Sequence, residues 1–296
     1  MTGASFDDRG AVDPPASAVV DAVSRALAED LLPLGDLTSS LVSSSSIATV
    51  AVVSRQDGVV AGRCCAMETF RQVDPVLQIT WHLRDGSVVA PGSVVAEVTG
   101  PLRSILTAER TALNFLCHLS GVATLTSRFV ESVCVAHRST RVLDTRKTTP
   151  GLRALEKAAV RAGGGRNHRG NLSDAVLVKD NHLGGLSIAE AVGRARELWP
   201  GRMVEVECDR ADQVEEAITA GATVVMLDNM TPEQVSECVG MVRSSRGTTL
   251  VEVSGGITLE TAGVYAAAGA DLVSVGALTH SAPAADISMS ISAEPG

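Results

Sequence analysis

The stretch Arg141-Val142-Leu143-Asp144-Thr145-Arg146-Lys147-Thr148-Thr149 joins a short apolar strand directly to polar and basic side chains. Further along the 296-residue chain, apolar strands are predicted over residues 175–178, 204–206, 224–227, 250–253 and 272–275. Segments with helical spacing separate most of these strands, over residues 187–199, 211–220 and 232–242. Regular alternation of helices with strands that are apolar on both faces predicts a parallel sheet covered by helices.

A parallel sheet of this kind either closes into a βα barrel or stays open as a doubly wound sheet. We expect an α/β chain with a closed or nearly closed barrel, because no Gly-x-Gly-x-x-Gly motif opens a helix after the first strand. Polar residues also follow nearly every strand, whereas an open sheet collects them at one crevice. The open sheet is the alternative.

The N-terminal third of the chain has a different pattern, which predicts an α+β layer. A helix is expected from Ser17, its N-cap, to about Asp30, and another over residues 66–73. Short β-rich runs punctuated by Asp-Gly and Pro-Gly turns predict an antiparallel sheet, over residues 47–53, 59–61, 77–83, 88–89 and 94–98. Such turns are also typical of lipoyl or biotinyl carrier sheets, but no lysine lies at a hairpin tip between them.

The length of the chain allows two ordinary domains. A long helix that begins at Thr107, with a bend at Gly121, is expected to join the two halves. We therefore predict an N-terminal α+β sandwich domain over residues 1–106, which the C-terminal tail could complete. A barrel domain with its linking helix follows over residues 107–280, and the tail covers residues 281–296.

The charge balance argues against a polyanion as a partner of the whole surface. The chain carries 25 Lys and Arg against 34 Asp and Glu, a net charge of −9, and few aromatic residues on which nucleic-acid bases could stack. Residues 138–179 are an exception, because ten basic residues outnumber three acidic residues there. A compact basic segment in an acidic protein predicts a pocket for a small, multiply charged anion.

The six cysteines indicate a reducing compartment, since they are scattered through apolar contexts without Cys-x-x-Cys or Cys/His metal spacing. The first eighteen residues are polar and contain proline, and no apolar run approaches the length of a membrane span. We expect a cytoplasmic protein with a frayed N-terminus and with no nucleic-acid or membrane partner.

In a βα barrel the reactive groups lie at the carboxyl ends of the strands, so the residues that end each predicted strand are the candidate site. They are residues 144–149, Lys179-Asp180-Asn181, Glu205 and Glu207, Asp228-Asn229, Ser254-Gly255-Gly256 and Gly276. This ring has cations on one side, carboxylates on the opposite side and glycine-rich turns between them.

The cations Arg146, Lys147 and Lys179 indicate anion binding. Arginine offers a planar fork that matches a carboxylate and lysine offers a point charge, so several of each suit a dicarboxylate or a phosphate. Solvated loop charges are the alternative, but two cations directly after a buried strand favour a site. Three glycines at residues 163–165 also let the backbone approach a ligand closely, just before His168, which by itself is more often structural.

The carboxylates Glu205, Glu207 and Asp228 predict a magnesium site, because neighbouring inward carboxylates repel unless they share a cation. A Mg²⁺ ion held partly by carboxylates and partly by substrate phosphates would relieve that repulsion. The alternative is that these acids pair with nearby Lys or Arg. The turn at residues 254–256, ahead of a helix near Thr258, offers backbone N–H groups to a phosphate.

Together these motifs resemble the quinolinate phosphoribosyltransferases, the carboxylating nicotinate-nucleotide pyrophosphorylases. The matching segments are residues 35–39, 108–114, 118–121, 144–153, 163–169, 179–182, 205–207, 227–229, 254–257 and 274–281. They spread over nearly the whole chain.

The resemblance implies an N-terminal open sandwich joined to an incomplete βα barrel of seven strands, of which six are placed above. It implies that the phosphoribosyl group of 5-phosphoribosyl 1-diphosphate is transferred to the ring nitrogen of quinolinate, with Mg²⁺ as the cofactor. Diphosphate and CO₂ are released, and nicotinate mononucleotide is formed for NAD biosynthesis. A homodimer is implied as the minimum unit, because in the family Arg110 reaches the site from the partner subunit.

Carried over residue by residue, the resemblance implies that the two quinolinate carboxylates are held by Arg146, His168, Arg169 and Lys179, together with Arg110. Lys147 would bridge toward the phosphoribosyl donor, and Glu207 and Asp228 would serve its ribose and the Mg²⁺ ion, directly or through water. The 5-phosphate would be cradled by Ser254, Gly255, Gly256, Ser274 and Gly276. Gly170 and Ala158 depart from the family pattern, which has a bulky apolar residue and an aromatic residue there.

Three alternatives stay open. A barrel lyase or synthase would use Lys147 or Lys179 as a Schiff base beside a phosphate site, although so many neighbouring cations speak against it. A relative without catalysis would bind its ligand and release no CO₂. A nicotinate-specific transferase would need fewer carboxylate-binding cations than this sequence offers.

Overall fold

The structure is a computed structural model that describes residues 13–245 and 247–291. Its contacts define two compact units that interleave along the sequence. Unit 1 comprises residues 1–127, 148–164 and 278–296, and unit 2 comprises residues 128–147 and 165–277. The domain boundaries expected from the sequence stay a prediction, and residues 1–12, where a frayed N-terminus is expected, lie outside the described part of the chain.

Unit 1 contains an antiparallel sheet, which has four strands in the described residues. Its central strand β1 (Ile47–Ser54) pairs with β5 (Val94–Pro101) on one side and with β12 (Ile287–Ile291) on the other. The strand β3 (Gln78–Trp81) extends the sheet beyond β5. Two short strands, β2 (Gly58–Val59) and β4 (Val88–Val89), form a separate pair.

In its described residues, unit 1 contains four main helical segments, of which the second and third pack buried apolar side chains against this sheet. They are α1 (Ala16–Leu31), α2 (Arg63–Val73), the first part of α3 (Leu102–Ala136) and α4 (Arg153–Ala162), with a 3-10 turn at Ser39–Leu41. Buried side chains of the sheet and helices form one core that includes Val52, Phe70, Ile105 and Leu116. The N-cap of α1 is Pro15, without a side-chain hydrogen bond, so Ser17 is not the cap.

The long helix α3 starts earlier than expected. It begins at Leu102, and the hydroxyl of Thr107 donates to Oδ2 of Asp36 at 3.0 Å instead of capping the helix. The helix continues through Gly121 without a break. Glycine is needed there because a Cβ at this position would lie 2.1 Å from the carbonyl oxygen of Pro283.

Unit 2 contains a parallel sheet, which has six strands in the described residues. The strands are β6 (Arg141–Leu143), β7 (Val176–Val178), β8 (Val204–Cys208), β9 (Val224–Asp228), β10 (Leu250–Ser254) and β11 (Leu272–Ser274). They pair in the order β6-β11-β10-β9-β8-β7, so the first strand lies beside the last. The helices between them are α5 (Asp180–Leu183), α6 (Ile188–Leu198), α7 (Ala211–Ala220), α8 (Pro232–Ser244) and α9 (Leu259–Ala267), and α10 (Ala277–His280) follows β11.

The α/β fold class expected from the sequence is confirmed, and one further residue is bridged to the edge of the six-stranded sheet. Arg166 forms an isolated parallel bridge with Leu143 of β6. Its N–H donates to the carbonyl of Val142 at 2.8 Å, and its carbonyl accepts from the N–H of Asp144 at 3.2 Å. Because all these strands are parallel, their carboxyl ends lie at one edge of the incomplete barrel.

The long helix α3 is the natural candidate for a membrane span, because spanning a bilayer takes about 20 apolar residues. Neither it nor any other helix in residues 13–245 and 247–291 is long and apolar enough to cross a membrane.

Candidate active site

A cavity of about 460 Å³ opens at the carboxyl ends of the strands of unit 2. It brings together most of the residues that the sequence analysis singled out: Arg146, Lys147, His168, Arg169, Lys179, Glu207, Asp228, Ser254, Gly255, Gly256 and Ser274. These residues come from every side of the barrel edge, as expected for a site built from strand ends.

Two arginines form the basic side of the cavity. The pKa of Arg169 is lowered from its ordinary value, first by burial and then by the positive charge of Arg146, so the two guanidinium groups repel one another. The Nη1 atom of Arg169 donates to the carbonyl of Ala175 at 3.3 Å, which helps to hold the side chain in place. A bound anion would relieve the repulsion between the two cations.

The loop that carries Arg169 is fixed by the fully buried Asp144 at the end of β6. The Oδ1 atom of Asp144 accepts from the N–H of His168 at 2.9 Å, and Oδ2 accepts from the side-chain amide of Asn167 at 2.5 Å. Hydrogen bonds to a carboxylate from a backbone N–H are among the stronger ones in proteins, so this loop has a defined position above the barrel.

Carboxylates form the acidic side of the same cavity. Glu207 at the end of β8 forms an ion pair with Lys179, and Asp228 at the end of β9 accepts from the side-chain amide of Asn229 at 2.8 Å. Both acids also line a smaller adjoining cavity of about 100 Å³. Their oxygen atoms are the donors that Mg²⁺ prefers, although the alternative expected from the sequence, pairing with a lysine, is what Glu207 shows here.

A turn with left-handed backbone conformations lies beside Asp228. Asn229 has φ of +55°, and Gly255 and Gly256 have φ of +92° and +58°. A Cβ at Gly255 would lie 2.3 Å from Oδ1 of Asn229, whereas a Cβ at Gly256 would meet open space. The backbone at Gly256 is therefore accessible to a ligand, two residues before the N-cap Thr258 of α9.

Three residues that line the cavity, His168, Glu252 and Ser274, form a cluster with the fully buried Glu205. The Nε2 atom of His168 is 3.0 Å from Oε2 of Glu205 and 3.6 Å from Oε1 of Glu252, and the hydroxyl of Ser274 donates to Glu252 at 2.5 Å. Burial, and then the negative charge of Glu205, raise the pKa of Glu252 to about 8.

The geometry of this cluster is compatible with metal binding, since one ligand atom each from His168, Glu205 and Glu252 lies within 4.8 Å of the others. Mg²⁺ prefers oxygen ligands, however, and one of the three ligand atoms that this cluster offers is an imidazole nitrogen. Glu207 and Asp228 therefore fit a Mg²⁺ ion better than this cluster does.

Of the residues that the resemblance assigns to the site, two do not line the cavity. Arg110 lies on α3 in unit 1, where its side chain is exposed, and Gly276 follows β11 directly. Conversely, Glu252 lines the cavity but was not predicted as a site residue. Glu252 precedes Ser254 by two residues on β10, so the period of two along a strand could have placed it on the same face.

Comparison with known proteins identifies relatives over nearly the whole chain. A family model for the N-terminal domain of quinolinate phosphoribosyl transferase matches residues 36–120, and the model for its C-terminal domain matches residues 122–290. A probable carboxylating nicotinate-nucleotide pyrophosphorylase of Bacillus subtilis is 42% identical over 260 residues, which cover 87% of this chain and 88% of the relative. The carboxylating enzyme of Mycobacterium leprae is 38% identical, with 92% and 96% covered.

The fold is also similar to solved structures. The structure of the nicotinate-nucleotide pyrophosphorylase from Francisella tularensis superimposes with a TM-score of 0.89 at 40% sequence identity, covering 94% of this chain and 98% of that one. Similarity in both sequence and fold therefore extends across unit 1 and unit 2 alike.

Proposed function

The chain belongs to the quinolinate phosphoribosyltransferase family, and we propose that the cavity at the carboxyl ends of its parallel strands is the active site. The enzyme is a pentosyltransferase that transfers the phosphoribosyl group of 5-phosphoribosyl 1-diphosphate to quinolinate. The products are nicotinate mononucleotide, diphosphate and CO₂, as part of NAD biosynthesis.

The basic side of the cavity is the proposed quinolinate subsite. Quinolinate is a planar diacid, and the guanidinium groups of Arg146 and Arg169 can each donate two parallel hydrogen bonds to the edge of a carboxylate. Lys179 would add a third cation, because a carboxylate of the substrate can compete with Glu207 for the ammonium group of Lys179. The mutual repulsion of Arg146 and Arg169 is relieved by a dianion more than by a monoanion.

The acidic side and the glycine turn form the proposed donor subsite. Glu207 and Asp228 would face the ribose, and Lys147 would contact the diphosphate. The 5-phosphate would lie on the backbone N–H groups near Gly255 and Gly256 and at the start of α9, with Ser254, Ser274 and Gly276 nearby. A Mg²⁺ ion held by Glu207 and Asp228, directly or through water, would supply positive charge to the leaving diphosphate.

The chemistry follows from this arrangement without a covalent enzyme intermediate. As the bond between the anomeric carbon and diphosphate breaks, positive charge develops on the ribose, and the carboxylates of Glu207 and Asp228 stabilise it. The ring nitrogen of quinolinate then bonds to the anomeric carbon. The neighbouring carboxylate leaves as CO₂. The electron pair that remains on the ring carbon is stabilised by the adjacent cationic nitrogen until this carbon takes up a proton.

We also propose that the active form is a homodimer in which Arg110 of each subunit completes the site of the other. The exposed position of Arg110 on α3, in unit 1, is compatible with such a role.

The cytoplasm is the proposed location, which the six free cysteines support, because thiols persist in a reducing compartment.

The proposal depends on one observation: two mutually repelling arginines share a cavity with Glu207 and Asp228. Incubation of the purified protein with ring-labelled quinolinate, 5-phosphoribosyl 1-diphosphate and Mg²⁺ tests it. We expect labelled nicotinate mononucleotide and one equivalent of CO₂. Binding of quinolinate without product, or equal turnover of nicotinate, would contradict the proposed reaction.

A further inference from the structure

Both ring nitrogens of His168 have hydrogen-bond partners within the protein, although the side chain lies in the cavity wall. Its Nδ1 accepts from the backbone N–H of Arg169 at 2.8 Å, so the ring proton must be on Nε2. That Nε2–H group lies 3.0 Å from Oε2 of Glu205, in hydrogen-bonding distance. With only 8% of its side chain exposed, His168 is held as one tautomer.

Two buried carboxyl groups lie close to the Nε2 atom of the ring. The side chain of Glu205 is fully buried, and its Oε1 atom has no hydrogen-bond partner in the described residues. Glu252, which also approaches Nε2 of His168, is almost as deeply buried and is anchored by the hydroxyl of Ser274. Oxygen atoms of Glu205 and Glu252 lie within 4.8 Å of one another, and burial together with the charge of Glu205 raises the pKa of Glu252, which favours a proton on Glu252 beside the charged Glu205.

We propose that Glu205 and Glu252 are positioning residues for quinolinate recognition: they fix His168 as its Nε2–H tautomer, and Nδ1 of His168 in turn fixes the backbone of Arg169. This inference rests on the proposed function and refines it, because the role of His168 changes. The imidazole does not donate to a substrate carboxylate. It links the buried Glu205 and Glu252 to Arg169, whose guanidinium group donates to the substrate carboxylate.

The protonation state of His168 tests this directly in the wild-type enzyme. Protein labelled with ¹⁵N in its six histidines is examined by NMR, and the His168 signals are assigned by their loss in His168→Gln. We expect one protonated nitrogen, Nε2, and one unprotonated nitrogen, Nδ1, both before and after quinolinate is added. An Nδ1–H tautomer, or an imidazolium that forms when quinolinate binds, would overturn the inference.

Variants of the two acids test the positioning role, because it predicts weaker quinolinate binding without a matching change in the binding of the phosphoribosyl donor. Glu205→Met removes the acceptor, and we expect quinolinate to bind about tenfold more weakly or worse while the KM for the phosphoribosyl donor changes little. Glu252→Gln keeps a donor toward Glu205 and should recover most of the affinity that Glu252→Met loses. The exposed Glu237 on α8 gives a matched control, Glu237→Gln, with unchanged affinity.

The two proposals can fail separately. Equal weakening of quinolinate and donor binding in Glu205→Met, or no recovery in Glu252→Gln, would overturn the positioning role while leaving wild-type turnover intact. Absence of turnover in the wild-type enzyme would contradict the proposed function. In that case the tautomer of His168 in the unliganded protein still decides whether the buried acids hold the ring as described.

Discussion

At the residue scale, Glu252 makes a prediction about stability because its pKa is raised to about 8 by burial and by Glu205. In the unfolded chain this carboxyl ionises near pH 4.5. Its contribution to the stability of the folded state is therefore complete only below that pH. The contribution is lost as the pH rises toward 8. In the wild type, this group therefore lowers the free energy of unfolding by up to several kcal/mol between these pH values.

Glu252→Gln removes that titration, so the variant should gain stability relative to the wild type as the pH rises. Urea unfolding at pH 5, 7 and 8.5 measures the difference, with Glu237→Gln as the control for a loss of negative charge at an exposed site. A difference between wild type and Glu252→Gln that is the same at all three pH values would contradict the raised pKa.

Asp228 makes a prediction about the division of labour in the cavity. Asp228→Ala removes a carboxylate from the donor side, so Mg²⁺-dependent turnover should fall by about a hundredfold or more. Quinolinate affinity should change little, because the arginines that hold the diacid are untouched. Steady-state kinetics over a Mg²⁺ series and calorimetric titration separate the two effects, and loss of quinolinate binding would count against this assignment. Asp212→Ala, at an exposed position on α7, is the control.

The sequence predicts the ionic residues of the site better than their partners. Arg146, Lys147 and Asp228 could be placed because each follows a strand directly, and the geometry of a parallel barrel brings strand ends together. The contact between His168 and Glu205 could not be predicted, because it joins a loop to a strand 37 residues away. Glu252 carried a usable signal in the strand period, but a single glutamate in an apolar strand is ambiguous.

At the element scale, α3 depends on a close approach at Gly121. In Gly121→Ala the new Cβ would lie 2.1 Å from the carbonyl oxygen of Pro283, and backbone atoms must shift to remove this clash. We expect a loss of at least about 2 kcal/mol in the free energy of unfolding, measured by denaturant titration. Gly193→Ala in α6 meets nothing within 4 Å and should be neutral or slightly stabilising. Equal stability of both variants would show that the approach of Pro283 is not tight.

The elements were predictable where their periodicity was long or their boundaries had turn residues. The strands of the parallel sheet were placed within one or two residues, since each is a short apolar run between helices. The start of α3 was misplaced because Leu102 and Ile105 continue the apolar pattern upstream of Thr107. The bridge of Arg166 to β6 could not be predicted, because a single bridged residue has no periodicity to detect.

At the scale of the whole molecule, the proposed dimer predicts complementation between two inactive variants. If Arg110 acts in the partner's site, mixed dimers of Arg110→Ala and Asp228→Ala contain one intact site. Equal mixing should then restore about a quarter of wild-type activity. A mixture of Arg146→Ala and Asp228→Ala should restore none, because both residues belong to the same subunit's site. Equal recovery in the two mixtures would contradict the shared site.

The most direct test of the account is the affinity of Arg146→Ala for quinolinate, measured by titration calorimetry beside the wild type. Loss of a charged hydrogen-bond donor to a carboxylate should weaken binding by more than about 1.5 kcal/mol, which is more than tenfold. Arg138→Ala, from the same basic segment but at an exposed position, should bind as the wild type does. Unchanged quinolinate affinity in Arg146→Ala would contradict the central claim that these cations hold the pyridine diacid.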